Sequence, residues 1–360
     1  MILLALALAL SGRLVCAGAD TMQGVVADWA REFHAQHPAA EIVNDQSGKL
    51  SANGFAALLA GQAQVVTFVR EAFPAEQSAF QAKFGYPLSL LEVGGGSVAT
   101  KSGTHAIGIY VNAANPLRQL TLDQLDGIFS AAPRRGSVPL VVWGQLGLTG
   151  DWSDRPIMPY GMRSSRNTGN PPGIVNFMNQ RLLLGAGFGP QVTPQDDRPG
   201  ETALDAIVHR VAENPGAIGY SGFAYAAPGT KTVALAETAG SPAYAGTAAE
   251  VADRRYPLSR QIYLGFNRPP GRRFDPLLRE FLHFVLTPQG QAAIGRSRVH
   301  FIPLTWAQAR AAEDAAGLGP LVQNHQIEPL PQVASLPPWI ATAVRNAPEI
   351  PPVWANLNLF

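Results

Sequence analysis

Short apolar runs in the first third of the chain alternate with segments that have helical spacing. The runs at 14–17, 41–44 and 64–69 are typical of buried strands. Between the first two, Val25, Val26, Trp29 and Phe33 share one face of a predicted helix that ends before Pro38, and further helices are predicted at 55–60 and 74–84. Strands that alternate with helices at this spacing predict an α/β fold with a parallel sheet.

The same alternation continues, less regularly, to about residue 305. Strands are predicted at 105–112, 217–221 and 257–266, and helices at 120–129, 204–212, 274–286 and 288–294. Residues 143–154 are rich in Gly and Asp and are predicted to form a loop. From residue 323 the chain is rich in proline and lacks periodicity, which predicts an appended tail.

Composition restricts the function more than it defines it. A chain of 360 residues with 46% hydrophobic and 15% charged residues is long enough for two globular domains. A formal net charge of +1 gives no electrostatic support for a nucleic-acid partner. The single cysteine, Cys16, excludes an intramolecular disulfide and gives no basis for a metal site, and no cofactor is expected.

The N-terminal residues 1–12 are almost entirely apolar and rich in Ala and Leu, which indicates the apolar part of a signal peptide, in a truncated form since no basic leader precedes it. The alternative is an apolar strand that runs into the fold. Export predicts a periplasmic or secreted protein, and no later segment is long and apolar enough to cross a bilayer.

The segment 160–177 carries the clearest chemistry in the sequence. It contains two arginines, Arg163 and Arg166, followed by Asn167, Thr168 and Gly169, and two prolines then stand where a helix would begin. Fixed positive charge, hydroxyl donors and free N–H groups at a helix start can hold an anion. The alternative is a polar surface loop with ordinary capping residues.

Two further junctions between a strand and a helix carry small polar residues. They are Asp20-Thr21-Met22 and Ser51-Ala52-Asn53-Gly54. In a parallel α/β sheet the helix N-termini gather at the carboxyl edge of the strands, where ligands bind. Each junction alone is typical of an ordinary N-cap, whereas the three together predict an anion site that needs no metal.

Several motifs in this order resemble the PstS-type periplasmic phosphate-binding proteins, over roughly residues 13 to 305. The motifs are 18–22, 29–33, 57–61, Arg70 with Glu76, 109–112, 115–117, 120–122, 215–220, 256–260, 288–291 and 301–304. The resemblance implies a type II periplasmic-binding-protein fold with two α/β lobes and a hinge. It places lobe 1 at 13–108 plus 260–322, lobe 2 at 109–259, the hinge near 108–112 and 257–261, and the Pro-rich tail at 323–360.

The resemblance also implies a set of ligand-binding residues. In lobe 1 these are Thr21, Met22, Ser51, Asn53 and Arg70, although Val69 replaces the serine that the family has before the arginine. In lobe 2 they are Arg163, Asn167, Thr168 and Gly169.

His105 stands where many relatives have an aspartate that accepts the proton of phosphate. A neutral imidazole could accept this proton, and a protonated one could donate to a more highly charged anion. The alternative is a histidine that only packs at the end of a strand.

The sequence supports two hypotheses for the function. The first is an exported solute-binding protein, expected to be a monomer, that binds phosphate or a similar oxyanion in the interlobe cleft and delivers it to an ABC permease and ATPase. The second is a PstS-like secreted protein with a sensory or protein-interaction role and no transport function. An enzyme is not expected, because the sequence contains no Gly-x-Ser-x-Gly elbow and no nucleotide-binding loop.

Overall fold

The structure is a computed structural model, and it describes residues 10–162 and 173–319 of the chain. The strands are β1 (Gly12–Gly18), β2 (Ala40–Asp45), β3 (Val65–Phe68), β4 (Ser89–Gly95), β5 (Ile107–Asn112), β6 (Gln119–Thr121), β7 (Met158–Met162), β8 (Thr193–Gln195), β9 (Ala217–Gly222), β10 (Thr230–Thr232), β11 (Ala234–Ala236), β12 (Ala243–Tyr244) and β13 (Gln261–Phe266). The helices are α1 (Gln23–Gln36), α2 (Ser51–Ala60), α3 (Pro74–Phe84), α4 (Leu122–Phe129), α5 (Gly173–Phe177), α6 (Ala203–Glu213), α7 (Ala248–Ala252), α8 (Pro276–Leu286), α9 (Pro288–Gly295) and α10 (Trp306–Ala315). Among the described helices, none combines the length and the apolar character that a membrane span needs.

The chain divides into two compact units. Unit 1 contains the chain up to Gly95 and again from Gln261, and unit 2 contains Gly96–Arg260. The second crossing lies next to the predicted lobe boundary at 259/260. The first crossing lies before β5 and not inside it at 108/109, because β5 pairs with β9 and β10 and so belongs to unit 2 over its whole length.

Unit 1 is built on a five-stranded sheet in the order β2-β1-β3-β13-β4. β1 runs parallel to β2 and β3, as the alternating pattern predicts. β13 runs antiparallel to β3 and β4, so the sheet is mixed beyond the three strands from which the parallel arrangement is predicted. The parallel strands are joined by helical crossovers, whereas β13 enters the sheet after the chain has passed through unit 2 and therefore needs no crossover of that kind.

The core of unit 1 forms where α1 packs against α8 and α9. The four apolar residues predicted on one face of α1 are all buried. Among them, the Trp29 indole donates a hydrogen bond of 2.8 Å to the Gly290 carbonyl. Phe33 packs edge-on against Phe281 and Phe284, with ring centroids 5.7 and 5.5 Å apart. These contacts fix α1, and therefore the turn that precedes it, against α8 and α9.

Unit 2 contains a five-stranded sheet in the order β10-β5-β9-β7-β8 and a three-stranded sheet in the order β12-β11-β6. The larger sheet is mixed, with β7 parallel to β8 and β9 and with β5 antiparallel to β9 and β10. α6 lies close against β9: a Cβ atom on Gly219 would come within 2.4 Å of the Ile207 side chain. The glycine thus permits the helix to pack directly on the strand.

Several boundaries differ from the predicted ones for local reasons. The helix predicted at 120–129 begins at Leu122, because β6 pairs with β11 and Thr121 then forms a capping box with Gln124. Residues 143–154 form the predicted loop, which contains two short 3-10 turns at Trp143–Leu146 and Gly150–Trp152. β4, β7 and α10 are not predicted by the apolar pattern. The predicted signal peptide lies largely, and the predicted tail wholly, outside the described residues.

Candidate functional site

In unit 1 the first predicted junction lies at the carboxyl end of β1. Gly18 ends the strand with φ of 139°, and a Cβ atom there would meet the Thr67 hydroxyl at 2.5 Å, so only glycine fits. A 3-10 turn over Asp20–Met22 then leads into α1. The Thr21 hydroxyl oxygen is buried and has no hydrogen-bond partner among the described residues. A buried hydroxyl at a helix start is suited to donate to an anion.

Met22, the second predicted ligand at this junction, is already engaged. Its side chain is fully buried in the core of unit 1. Its backbone N–H donates to the Ala19 carbonyl at 3.0 Å and so closes the 3-10 turn. The Met22 N–H therefore stabilises the turn that presents Thr21.

The second junction begins α2 earlier than its apolar run indicates, at Ser51. The Ser51 side chain is buried, and its hydroxyl accepts the Val69 N–H at 3.3 Å, which joins this junction to the end of β3. Asn53 is exposed, and its backbone N–H donates to the Leu50 carbonyl at 3.0 Å. Gly54 allows α2 to approach β1, because a Cβ atom there would lie 2.6 Å from the Gly18 Cα.

Unit 1 thus brings Thr21, Ser51 and Arg70 to one edge of its sheet. β1 and β3 are parallel neighbours, and the three residues follow the carboxyl ends of these strands or begin the helix between them.

Arg70, a predicted ligand of lobe 1, does not present a free positive charge. Its guanidinium forms a two-pronged pair with the Glu76 carboxylate, at 2.8 Å from Nη1 to Oε2 and 2.6 Å from Nη2 to Oε1, and Nη1 also donates to the Glu71 carbonyl at 3.0 Å. Its Cζ lies 3.6 Å from the centre of the Phe73 ring. Glu76 accepts the Phe73 N–H as well, so it caps α3 and balances Arg70 at the same time. Arg70 can still donate hydrogen bonds to an anion, but it brings little net charge.

In unit 2 the third junction lies between β7 and α5. The predicted ligands Arg163, Asn167, Thr168 and Gly169, together with Arg166, lie outside the described residues. The start of α5, directly after this segment, is held in place: the Arg260 guanidinium donates to the Gly173 carbonyl at 3.3 Å and lies 5.1 Å from the centre of the Phe177 ring. Arg260 is only 4% exposed.

His105 lies at the start of unit 2, shortly before β5. It is buried, and neither ring nitrogen has a hydrogen-bond partner among the described residues. Burial first, and then the positive charge of Arg260, lower the pKa of His105 to about 4, while the nearby Gly103 backbone, which lies outside the geometry of a full hydrogen bond to the ring, raises it. The imidazole is therefore neutral at neutral pH, with one donor and one acceptor nitrogen.

Two features of the site are not evident from the sequence. In the sequence, Arg260 is only the last residue of the motif at 256–260, and no neighbouring residue indicates that it lies near His105. Glu76 belongs to the same motif as Arg70, but the six-residue spacing does not reveal that the two side chains pair.

The described residues contain no group of three or more His, Cys, Asp or Glu side chains that could hold a metal ion. Cys16 is buried in the core of unit 1, and burial raises the pKa of its thiol far above the usual range. A reactive thiolate at this position is therefore excluded.

Comparison with known proteins agrees with the α/β fold. Residues 8–289 match the family model described as a PBP superfamily domain. The chain is 32% identical over 309 residues to the phosphate-binding protein PstS from each of two strains of Pseudomonas aeruginosa, which covers 86% of this chain and 88% of the relative. Its fold is similar to that of PstS from Borrelia burgdorferi, with a TM-score of 0.51, 15% identity, and coverage of 82% of this chain and 99% of the other. The chain therefore belongs to the periplasmic-binding-protein superfamily and, within it, to the PstS-type family.

Proposed function

We propose that this protein is a solute-binding protein that binds phosphate or a similar tetrahedral oxyanion. Its relatives from P. aeruginosa carry the name phosphate-binding protein, at an identity and coverage that make a shared binding role the simplest interpretation. The alternative of a sensory or interaction protein without a transport role is not favoured, because no feature of the described residues supports it over the role of these relatives.

The observation that carries the proposal is the buried hydroxyl of Thr21 at the start of the first helix of unit 1. A buried hydroxyl without a protein partner is unfavourable unless a ligand uses it. Ser51 and the remaining N–H groups of Arg70 lie at the same edge of the sheet. In unit 2, His105 is the corresponding buried group with unused hydrogen-bonding capacity.

Charge in the proposed site comes from few groups. Glu76 balances Arg70, so unit 1 offers mainly dipolar donors: the hydroxyls and the helix starts. Arg163, Asn167, Thr168 and Gly169 stay predicted ligands of unit 2, and Arg166 stays an additional positive charge beside them. A site that holds an anion by hydroxyl and N–H donors, with modest net positive charge, suits a ligand that must bind and then be released again.

The experiment is calorimetric titration of the whole chain with phosphate, arsenate and sulfate, together with thermal unfolding in their presence. We expect heat and a higher melting temperature with phosphate. Absence of both with every oxyanion at millimolar concentration would refute the proposal. Thr21→Val removes the buried hydroxyl and tests its role in binding. His209→Gln, at an exposed residue of unit 2, serves as the control.

The partners and the location follow from the same proposal. We infer an exported, periplasmic or secreted monomer that delivers its ligand to an ABC permease and ATPase and has no catalytic role. Export of the natural protein with loss of its N-terminal residues, measured by mass spectrometry of the mature chain, tests the location. Impaired phosphate uptake after deletion of the gene tests the transport role.

The predicted hinge stays a prediction. The two chain crossings, at 95–96 and 260–261, are the natural places for it, since the backbone of the described residues passes from one unit to the other there.

A further inference from the structure

The His105 ring is held in a defined orientation inside unit 2. The residue is 6% exposed and forms a parallel bridge with Ser97 just before β5. Its ring lies against the backbone of Gly222, where a Cβ atom would come within 2.4 Å of the ring carbon Cδ2. On another side the Tyr225 ring lies with its centre 5.6 Å away. Glycine at position 222 is thus what permits the imidazole to occupy this place.

Both nitrogens of this fixed ring are buried, and no group in the described part of the chain meets the distance and angle of a hydrogen bond to either of them, although the Gly103 backbone lies near enough to raise the pKa of the ring. A histidine that only packs in a core usually bonds at least one nitrogen to a carbonyl or a side chain. The interpretation of His105 as a simple packing residue therefore leaves unused hydrogen-bonding capacity in a buried ring. A ligand oxygen bonded to one or both nitrogens explains this unused capacity.

The charged and titratable groups that face His105 favour an anion. Arg260, which is 4% exposed, acts on the ring with a positive charge and contributes to its low pKa of about 4. Beyond Tyr225 lie Lys101 and Asp205, whose charges pair with each other at 2.6 Å. Asp197 acts on Tyr225 from a greater distance. The group that acts directly on the imidazole is therefore cationic.

We propose that His105 widens the ligands of this protein from proton-bearing oxyanions to fully deprotonated ones such as sulfate, which bind with uptake of one proton by the imidazole. This inference rests on the proposed function. A carboxylate can only accept, so it bonds a protonated oxygen of phosphate and repels sulfate. A neutral imidazole accepts the phosphate proton at one nitrogen. With sulfate it donates instead, and a proton from the buffer converts it to imidazolium beside the dianion.

The expected proton uptake follows from the position of the ring. An opposite charge in contact raises the pKa of a histidine by about 1–3 units, from about 4 in the free protein to roughly 5–7 in the sulfate complex. At about pH 5 the free ring then binds roughly a tenth of a proton and the bound ring about half or more. Uptake is expected to be roughly 0.4–0.9 proton per sulfate there and to vanish near pH 8. Because sulfate binding takes up a proton, the affinity for sulfate falls as the pH rises, by up to about tenfold per pH unit.

The experiment is calorimetric titration of the whole chain with sulfate and with phosphate, near pH 5 and near pH 8, in two buffers of different ionisation enthalpy. The difference between the buffers gives the number of protons taken up. Sulfate is the informative probe because it has no proton of its own to exchange in this range.

Three variants separate the possible causes. His105→Gln keeps a donor and an acceptor and should still bind both anions, with no proton uptake on sulfate. His105→Asp should keep phosphate and lose sulfate affinity at least tenfold. His209→Gln, at an exposed histidine of the same unit that pairs with Glu201, should behave like the parent protein. Thermal unfolding of each variant reports on its folding. If the aspartate variant does not fold, the comparison of the parent protein with His105→Gln still shows whether proton uptake depends on His105.

Each outcome has one meaning. Phosphate binding without sulfate binding, or sulfate binding with unchanged proton uptake in His105→Gln, overturns this inference and leaves the proposed function intact. Binding of neither anion by the parent protein overturns the proposed function itself. Sulfate binding with proton uptake that disappears in His105→Gln supports both.

Discussion

The pair of Arg70 and Glu76 offers the sharpest test of how unit 1 is built. We consider Glu76→Gln, which keeps the shape of the side chain and removes its charge. In the parent protein both side chains are about nine-tenths buried, at 11% and 10% exposure. The carboxylate accepts two bonds from the guanidinium and the Phe73 N–H that begins α3.

The expected loss of stability is large for a single isosteric change. Removing one partner of a buried pair costs about 3–5 kcal/mol, because the other charge stays buried without compensation. Glutamine keeps one accepting oxygen, and the Phe73 ring at 3.6 Å from the Arg70 Cζ continues to stabilise the cation. The remaining cost is roughly 2–4 kcal/mol. For a unit of this size that is a fall of roughly 5–15 °C in melting temperature.

The same substitution separates two roles of Arg70. If Arg70 donates to the bound anion, loss of the Glu76 charge leaves the guanidinium uncompensated and phosphate affinity rises. If Arg70 is only structural, affinity is unchanged or falls. Thermal and urea unfolding give the stability, calorimetry gives the affinity, and hydrogen exchange over 65–84 shows whether the loss is local.

The matched control is Glu213→Gln, which breaks an exposed pair with Arg210 on α6 in which the glutamate side chain is 63% exposed. Exposed pairs of this kind contribute about 0.3–0.5 kcal/mol, so the control should unfold at nearly the same temperature as the parent protein. If Glu76→Gln also changed stability by less than about 0.5 kcal/mol, the reasoning from burial and pairing would be refuted.

Three further substitutions test other steps of the argument. Thr21→Val should leave the melting temperature of the free protein nearly unchanged, because the Thr21 hydroxyl has no partner among the described residues. In calorimetry the same variant should bind phosphate about tenfold more weakly or worse. Equal affinity would show that Thr21 is not a ligand. Gly54→Ala should destabilise unit 1 by about 1–3 kcal/mol, because the new Cβ would lie 2.6 Å from the Gly18 Cα. The control is Gly24→Ala on α1, where no atom lies within 4 Å of the added Cβ. This control should be neutral or stabilising in thermal unfolding. Asp126→Asn should lower stability by about 1.5–3 kcal/mol, since the buried carboxylate accepts two backbone N–H groups at 2.6 and 2.8 Å; an unchanged urea midpoint would contradict this.

The elements of unit 1 can be predicted where local signals agree. α3 begins and ends as predicted, because Pro74 suits its first turn and Gly85 ends it in a left-handed conformation with φ of 83°. The buried face of α1 also follows from spacing alone. The direction of β13 cannot be predicted in this way. An apolar run indicates a buried strand but carries no sign of whether the strand runs parallel or antiparallel.

The candidate site can be predicted only in part for a related reason. Spacing and residue type locate the turns at Thr21 and Ser51, since a helix start is a local property. Pairing is not local: His105 and Arg260 are far apart in sequence, and it is the topology of unit 2 that brings them near each other. The positive charge of Arg70 is evident from its residue type, whereas the net charge that it brings to the site depends on its pair with Glu76.

The flank of α5 shows how arginines in this chain stabilise structure. α5 continues into a π-helical turn over Met178–Leu182. The carbonyls of Leu182 and Leu184 accept bonds of 2.8 Å from Arg135 and Arg134, whose own backbone N–H groups are held by Asp126.

At the other end of the same helix, Arg260 donates to the Gly173 carbonyl. A π turn is a costly irregularity that persists where its surroundings fix it. Here arginines bind carbonyls at both ends of the segment that comes after residues 163–172. The segment from Gly173 to Leu184 is therefore positioned by arginines that are distant in sequence, which the local sequence of this segment does not indicate.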